Sequence, residues 1–315
     1  MFDNKRVLIT GSSGFVGKNF TPLFEGSSAE LILPSRSDCD LTEQSDVRRL
    51  LVETKPNVVF HFGALVGGLQ ANIDRPADFC VQNLLAQTIM LDESHKVGCE
   101  KYITLMGGCS YPGNATSPIV EEDMWEGFPH EGAAPYSSAK RMNIVMSQAY
   151  RKQYNFNSIV LVPGNIYGPE DNFDLNNSHV IPALIRKYYE AKLNGTDKII
   201  AWGSGKPLRD FIYIEDAVKA IYKAACEYNS SDIINISSGT SVSIKALTET
   251  IASVVQFEGE IVWDTSKPDG QMEKGFSVEK MQEILAFKPS INLEDGLTKT
   301  YDWFVKNYGS ARLNH

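Results

Sequence analysis

Cysteine is scarce in this chain: five among 315 residues, Cys39, Cys80, Cys99, Cys109 and Cys226, an odd number with no Cys-x-x-Cys pair. That spacing excludes a disulfide-built scaffold and gives zinc no paired thiolates, so no metal is expected. Positive charge is short as well. Thirty Lys and Arg against 39 Asp and Glu leave a net charge of −9, which argues against a general nucleic-acid or anionic-membrane surface but permits a local basic pocket. Long apolar runs are missing, so no segment reads as a membrane span. After Lys5-Arg6 only four apolar-rich residues precede Gly11, too few for a signal peptide. Low-complexity tracts and repeats are absent too, and 43% hydrophobic with 22% charged residues is the balance of a folded globule. These absences together lead us to expect a reduced, cytoplasmic setting.

What is present begins at residues 6–10, Arg-Val-Leu-Ile-Thr, which predict a buried parallel strand. The turn Gly11-Ser12-Ser13-Gly14-Phe15-Val16-Gly17 then opens a helix. Glycines so placed allow a tight turn, a close approach of backbone to a pyrophosphate, and tight helix–strand packing, with the helix dipole favouring the phosphate. These seven residues are candidate cofactor contacts. A second strand at 30–33 ends in Pro34-Ser35-Arg36, with no acidic residue for a ribose hydroxyl. Arg36 can pair with a 2′-phosphate, so NADP(H) is preferred over NAD, with Asp40 and Leu41 flanking the adenine. Further strands at 57–62, 101–106 and 157–162 alternate with helices, one of them over 76–96. That rhythm predicts an α/β fold, a doubly wound parallel sheet of Rossmann type. Residues 1–168 are expected to form a dinucleotide-binding domain, completed by about 210–240. Residues 169–315 are expected to form mainly a smaller C-terminal substrate-binding domain. His61, inside its strand, reads as a packed core residue.

Tyr136 and Lys140 lie four apart on a helix predicted to start near Pro135, and therefore share one face. A phenol has a pKa of about 10, and a neighbouring ammonium favours the phenolate. Such a pair suits proton exchange with a sugar oxygen while hydride moves. Tyr188 and Lys192 repeat the spacing with nothing suggestive around them. Farther on, Lys187, Arg209 and Lys267 suit a diphosphate, and Trp202 offers a ring for a base.

On these residues the chain resembles, almost end to end, the extended short-chain dehydrogenase/reductases. More narrowly it resembles the GDP-L-fucose synthases (GDP-4-keto-6-deoxy-D-mannose 3,5-epimerase/4-reductases). The wider likeness rests on Gly11-x-x-Gly14-x-x-Gly17 and Tyr136-x-x-x-Lys140. The narrower one rests on Cys109 with Tyr111-Pro112, Asn165-Ile-Tyr-Gly-Pro, the run from Asn177-Ser-His179 to Lys187, Trp202-Gly-Ser-Gly with Arg209, and Ser266-Lys-Pro-Asp-Gly270. The resemblance implies epimerisation at C3 and C5 with Cys109 and His179 as base and acid. It then implies hydride delivery from NADPH to C4 while Tyr136 protonates the oxygen and Lys140 tunes Tyr136 and holds the nicotinamide ribose. It further implies Pro163, Asn165, Ile166 and His179 as cofactor contacts, and Lys187, Trp202, Arg209 and Asp269 as contacts of a nucleotide-diphosphate sugar. A homodimer through the helices near 76–96 and 136–153 is implied in the same way.

One position departs from the pattern. Family members usually carry serine or threonine where this chain has Gly107, with the hydroxyl donating to the C4 oxygen. Loss of one such donor typically costs roughly a hundred- to a thousand-fold in rate. Two alternatives therefore stay open. One is a related nucleotide-sugar 4-reductase or epimerase acting on another hexose or heptose; the other is a non-catalytic NADP-binding protein.

Overall fold

The computed structural model describes residues 2–267 and 269–313; Pro268, in the Ser266 to Gly270 motif, lies outside the described residues. β1 (Arg6–Thr10) leads through the glycine turn into α1 (Phe15–Phe20), followed by β2 (Glu30–Ile32), α2 (Gln44–Thr54) and β3 (Val58–His61). Then come α3 (Leu69–Asp74), α4 (Pro76–Lys96), β4 (Lys101–Leu105), α5 (Ala134–Tyr154) and β5 (Ser158–Pro163). β6 (Asn165–Tyr167), α6 (Val180–Leu193), β7 (Lys198–Trp202), β8 (Leu208–Tyr213), α7 (Ile214–Glu227) and β9 (Ile234–Ile236) come next. The last elements are β10 (Ser241–Ser243), α8 (Ile244–Val255), β11 (Glu260–Asp264), β12 (Glu273–Lys274), α9 (Glu279–Leu285) and α10 (Leu293–Asn307).

Six strands form one parallel sheet in the order β2-β1-β3-β4-β5-β9. The apolar runs of β3, β4 and β5 are buried along their whole length, as strands covered by helices on both faces must be. The chain winds outward to β2 and then returns on the other side of β1. The strand order thus reverses at the end of β1, where such sheets bind their ligands and where Gly11 begins. Phe20 and Phe24 at the α1 end, Phe60 of β3 and Tyr222 of α7 pack as one aromatic cluster, with Phe20 and Phe60 centroids 4.7 Å apart. This cluster seats α1 and α7 on the sheet.

α5 starts with Pro135 in its first turn, where the missing N–H costs nothing, and stops at Asn155 in the left-handed region. It packs along α4 through Gln87 Nε2, which donates to the Ala139 carbonyl at 2.5 Å, and Asn143 Nδ2, which donates to Gln87 Oε1 at 2.6 Å. The remaining strands are shorter. β8 pairs with β6 along Phe211, Ile212 and Tyr213, and with β12 along Leu208 and Arg209, so that Lys274 sits in register beside Arg209. β10 lies antiparallel on β8, and β7 pairs in parallel with β11. Predicted element ends move by a residue or so: the strand at 30–33 stops at Ile32, and that at 101–106 stops at Leu105. His61 is buried, with Nδ1 2.9 Å from Thr10 Oγ1, and burial, helped by the Lys140 charge, pushes its pKa down to about 3. It is a neutral core residue.

Candidate functional site

The glycine turn is built by close backbone approach. Gly11 has a φ of +69°, and a Cβ there would come within 2.8 Å of the Gly63 nitrogen. A Cβ at Gly17 would overlap the Gly11 carbonyl, so α1 can lie against the end of β1 only with glycine at that position. Gly14 caps α1 from an extended backbone with no side-chain cap, which leaves the first-turn amides of Phe15, Val16 and Gly17 for a phosphate. Ser12 is half-buried and Ser13 exposed at the same turn. Leu41 packs its side chain against Gly63, while Gly63 donates its N–H to Thr10 Oγ1 at 3.1 Å. Arg36 stands exposed past the end of β2, with no ion pair among the described residues. Asp40 accepts from the Thr42 amide at 2.9 Å and its hydroxyl at 2.7 Å; these bonds, and then the Arg36 charge, hold its carboxyl below the usual range.

Cys109 and Tyr136 converge at Gly107. A Cβ built on Gly107 would lie 3.2 Å from Cys109 Sγ and 3.7 Å from the Tyr136 hydroxyl oxygen. Cys109 sits in the short turn Gly108–Ser110 after β4, and Tyr136 projects from the first turn of α5 against Phe79, with ring centroids 6.2 Å apart. Lys140, one turn on, is buried and donates Nζ to the Leu105 carbonyl at 3.2 Å. The expected tuning of Tyr136 by Lys140 is not realised. Burial pushes the phenol pKa up, with Cys109 adding to the rise, and burial also holds Lys140 down to about 8. An i, i+4 spacing shares a helix face but does not force contact, and loss of water opposes both charged forms at once.

The second half of the site is a cavity of about 340 Å³ between α3, β6, α6, β7, β8 and the loop after β11. Asn165, Ile166, His179, Lys187, Trp202, Arg209, Lys267 and Asp269 line it, whereas Cys109, Tyr136 and Lys140 do not. Asn165 Nδ2 is engaged by the Asp210 carbonyl at 2.7 Å, and Pro163 ends β5 as a buried strand residue. His179 is the N-cap of α6, reached by solvent through the cavity, and the surrounding walls lower its pKa by desolvation. The loop before α3 is joined to the segment before His179: Gly68 donates its N–H to the Asn177 carbonyl at 3.0 Å.

Three cations and one carboxylate face this cavity. Lys187 and Lys267 each hold Nζ 5.2 Å from the centroid of the half-exposed Trp202 ring, and Lys187 also donates to the Ile200 carbonyl at 3.0 Å. Burial lowers the pKa of both Lys187 and Arg209, the latter opposed by the Asp269 charge. Asp269 accepts from the Ser204 amide at 2.6 Å and the Ser204 hydroxyl at 2.7 Å, so its carboxylate ties the loop after β11 to the turn after β7. Sequence reasoning missed Lys274. Burial lowers its pKa, a shift opposed by the Cys109 charge and reinforced by that of Arg209, beside which Lys274 sits in register. Only the register of β12 on β8 brings it there, and no local motif announces a two-residue strand.

The sequence pattern of the NAD dependent epimerase/dehydratase family matches residues 7–237. The GDP-L-fucose synthase of Sinorhizobium fredii is 42% identical over 98% of this chain and 98% of its own length. That of Escherichia coli is 34% identical over 98% and 99%. The chain belongs to the NAD dependent epimerase/dehydratase family.

Among solved structures, a GDP-6-OMe-4-keto-L-xylo-heptose reductase from C. jejuni superposes with a TM-score of 0.92 at 29% identity, covering 98% of this chain and 99% of the other. A GDP-L-fucose synthetase from Naegleria fowleri bound to NADP gives 0.90 at 29% identity, covering 99% and 97%. As an extended short-chain dehydrogenase/reductase of the GDP-L-fucose synthase type, this family member joins the glycine turn, the Cys109–Tyr136 cluster and the basic cavity in one α/β Rossmann frame. Among the described residues, no helix is long and apolar enough to cross a membrane.

Proposed function

We propose that this chain is an NADP-dependent epimerase/reductase that converts GDP-4-keto-6-deoxy-D-mannose to GDP-L-fucose, first exchanging protons at C3 and C5 and then reducing C4. The observation that carries this reading is the convergence of a thiol and a phenol on the space at Gly107, 3.2 and 3.7 Å from where a side chain would begin. The cofactor fits the chain's own groups. Gly11, Ser12, Ser13, Gly14, Phe15, Val16 and Gly17 seat the pyrophosphate, Arg36 meets a 2′-phosphate, and Asp40 and Leu41 flank the adenine. Lys140, Pro163, Asn165, Ile166 and His179 hold the nicotinamide end. Bound there, NADPH supplies the hydride for C4. NADP in the Naegleria fowleri synthetase and in a Campylobacter jejuni GDP-mannoheptose C4 reductase supports that choice.

Cys109 and His179 take and return the protons at C3 and C5, which the C4 ketone makes acidic. Desolvation favours neutral His179, the form that accepts a proton. Burial keeps Tyr136 protonated, the form that gives a proton to the C4 oxygen. Lys187 and Arg209 bind the diphosphate, Trp202 meets the base, and Asp269 fixes the loops around it. In this reading residues 1–168 with β9 form the dinucleotide unit and most of 169–315 the sugar-nucleotide unit. The working form is a cytoplasmic homodimer, supported by an exposed apolar stripe of Val81, Leu84 and Leu85 on α4 beside Met142 and Val145 on α5.

A second reading is favoured by one observation. Gly107 has ordinary extended backbone, so its lack of a side chain serves space rather than conformation, and that space suits a bulkier 4-keto heptose. Incubation with NADPH and the keto sugar in deuterated water separates the two. We expect NADPH oxidation with deuterium at C3 and C5; oxidation without label marks a simple 4-reductase, and binding of both ligands without turnover overturns the proposal. Gly107→Ser should raise reduction of the 6-deoxyhexose about a hundred-fold by restoring one donor. Loss of heptose turnover in the same variant would instead favour the second reading.

A further inference from the structure

Arg141 directly follows Lys140 on α5 and is buried, with 8% of its surface exposed. Its Nε donates to the Ser110 carbonyl at 2.6 Å and its Nη1 to the Gly127 carbonyl at 2.9 Å. The guanidinium lies 5.6 Å from the Trp125 ring centroid, and Nη2 is buried with no hydrogen-bond partner. No carboxylate forms an ion pair with Arg141 among the described residues. A buried cation without an anion is costly, so a leucine or methionine would serve mere packing better.

The fork's targets explain its presence. Ser110 is the residue after Cys109 and ends the short turn that carries the thiol. Gly127 lies in the long segment between that turn and α5, whose start carries Tyr136. One planar group thus ties the thiol's turn and the approach to α5 to the helix that holds the phenol, a geometry that a single-point ammonium cannot reproduce. Proton transfer at carbon tolerates little misplacement: an error of about 1 Å can cost a hundred-fold.

We propose that Arg141 is a positioning residue that fixes Cys109 relative to Tyr136, so that its loss slows proton exchange at C3 and C5 more than hydride transfer to C4. This rests on the reading that Cys109 exchanges those protons. The test compares the full chain with Arg141→Met and Arg141→Lys. It measures deuterium wash-in at C3 and C5 from the GDP-4-keto-6-deoxy sugar, the share of reduced product that keeps the unepimerised configuration, NADP affinity, and Tm.

In both variants we expect wash-in to fall at least ten-fold and the unepimerised share of product to rise, with NADP affinity within two-fold of wild type. Arg141→Lys keeps the charge and guards against a folding defect in Arg141→Met. Unchanged wash-in in a folded variant overturns the proposal. So does an equal loss of wash-in and reduction with an unaltered product ratio, which is the mark of general loosening. Failure of the wild-type protein to show any wash-in overturns the underlying reading instead, and is visible without either variant.

Discussion

Lys140 shows how far a residue's environment overrides its neighbours in sequence. Its ammonium is buried, has one carbonyl as partner, and is held down to about 8. In the unfolded chain a lysine titrates at about 10.4, so between roughly pH 8 and 10.4 the unfolded state binds the extra proton. Stability therefore gains from this group as pH rises through that window, with a slope of at most about 1.4 kcal/mol per pH unit. Below pH 8 both states carry the proton, the slope vanishes, and the burial penalty is fully felt. In urea titrations across pH 7 to 10.5, Lys140→Met should be less steep than wild type. Equal slopes would show that the ammonium is not desolvated. Lys101, also buried and held to about 8, is present in both proteins and cancels in the comparison.

Two buried carboxylates, Asp216 and Asp210, pin elements of this fold to one another. Asp216, in the first turn of α7, accepts from the Ser290 amide at 2.9 Å, the Ser290 hydroxyl at 3.0 Å and the Ile291 amide at 2.8 Å, fastening the segment that leads into α10. Asp210 does the same for the Ser238–Gly239 turn after β9, accepting from both amides. Asp216→Ala strands these donors and should cost about 2–4 kcal/mol, given roughly 1.5–3 kcal/mol for a hydrogen bond to a charged group. A thermal melt within 1 °C of wild type would refute the estimate.

The strand–helix alternation and the glycine turn were legible in the sequence because each is a local pattern with a physical period or a steric demand. Lys274 beside Arg209 was not, since it depends on how a two-residue strand registers on a distant one. Arg141 was equally hidden: a polar residue on a helix reads as solvated until the segment that crosses it is known. The ionisation of Tyr136 was misjudged because sequence spacing carries no information about water.

At the scale of the whole molecule, α4 and α5 carry an outward apolar stripe that stays exposed among the described residues. Val81, Leu84 and Leu85 fall three and four residues apart on α4, with Met142 and Val145 exposed on α5. Helices facing their symmetry mates across a two-fold axis would bury this stripe as a four-helix contact. Leu84→Arg combined with Val145→Glu should give monomers by light scattering at micromolar concentration, whereas wild type should be dimeric. A monomeric wild-type protein would remove the dimer from the proposal.

The single backbone bond from Gly68 to Asn177 has a consequence for how the cavity fills. Leu69, Gln70 and Ile73, just beyond that glycine, form part of the cavity's wall, and His179 stands two residues past the bond's other end. A ligand bulky enough to prise the wall outward would strain this bond and, through it, the segment that leads to His179. If His179 carries the proton transfers proposed above, the size of a guest at the doorway and the alignment of the imidazole would be coupled through that one bond.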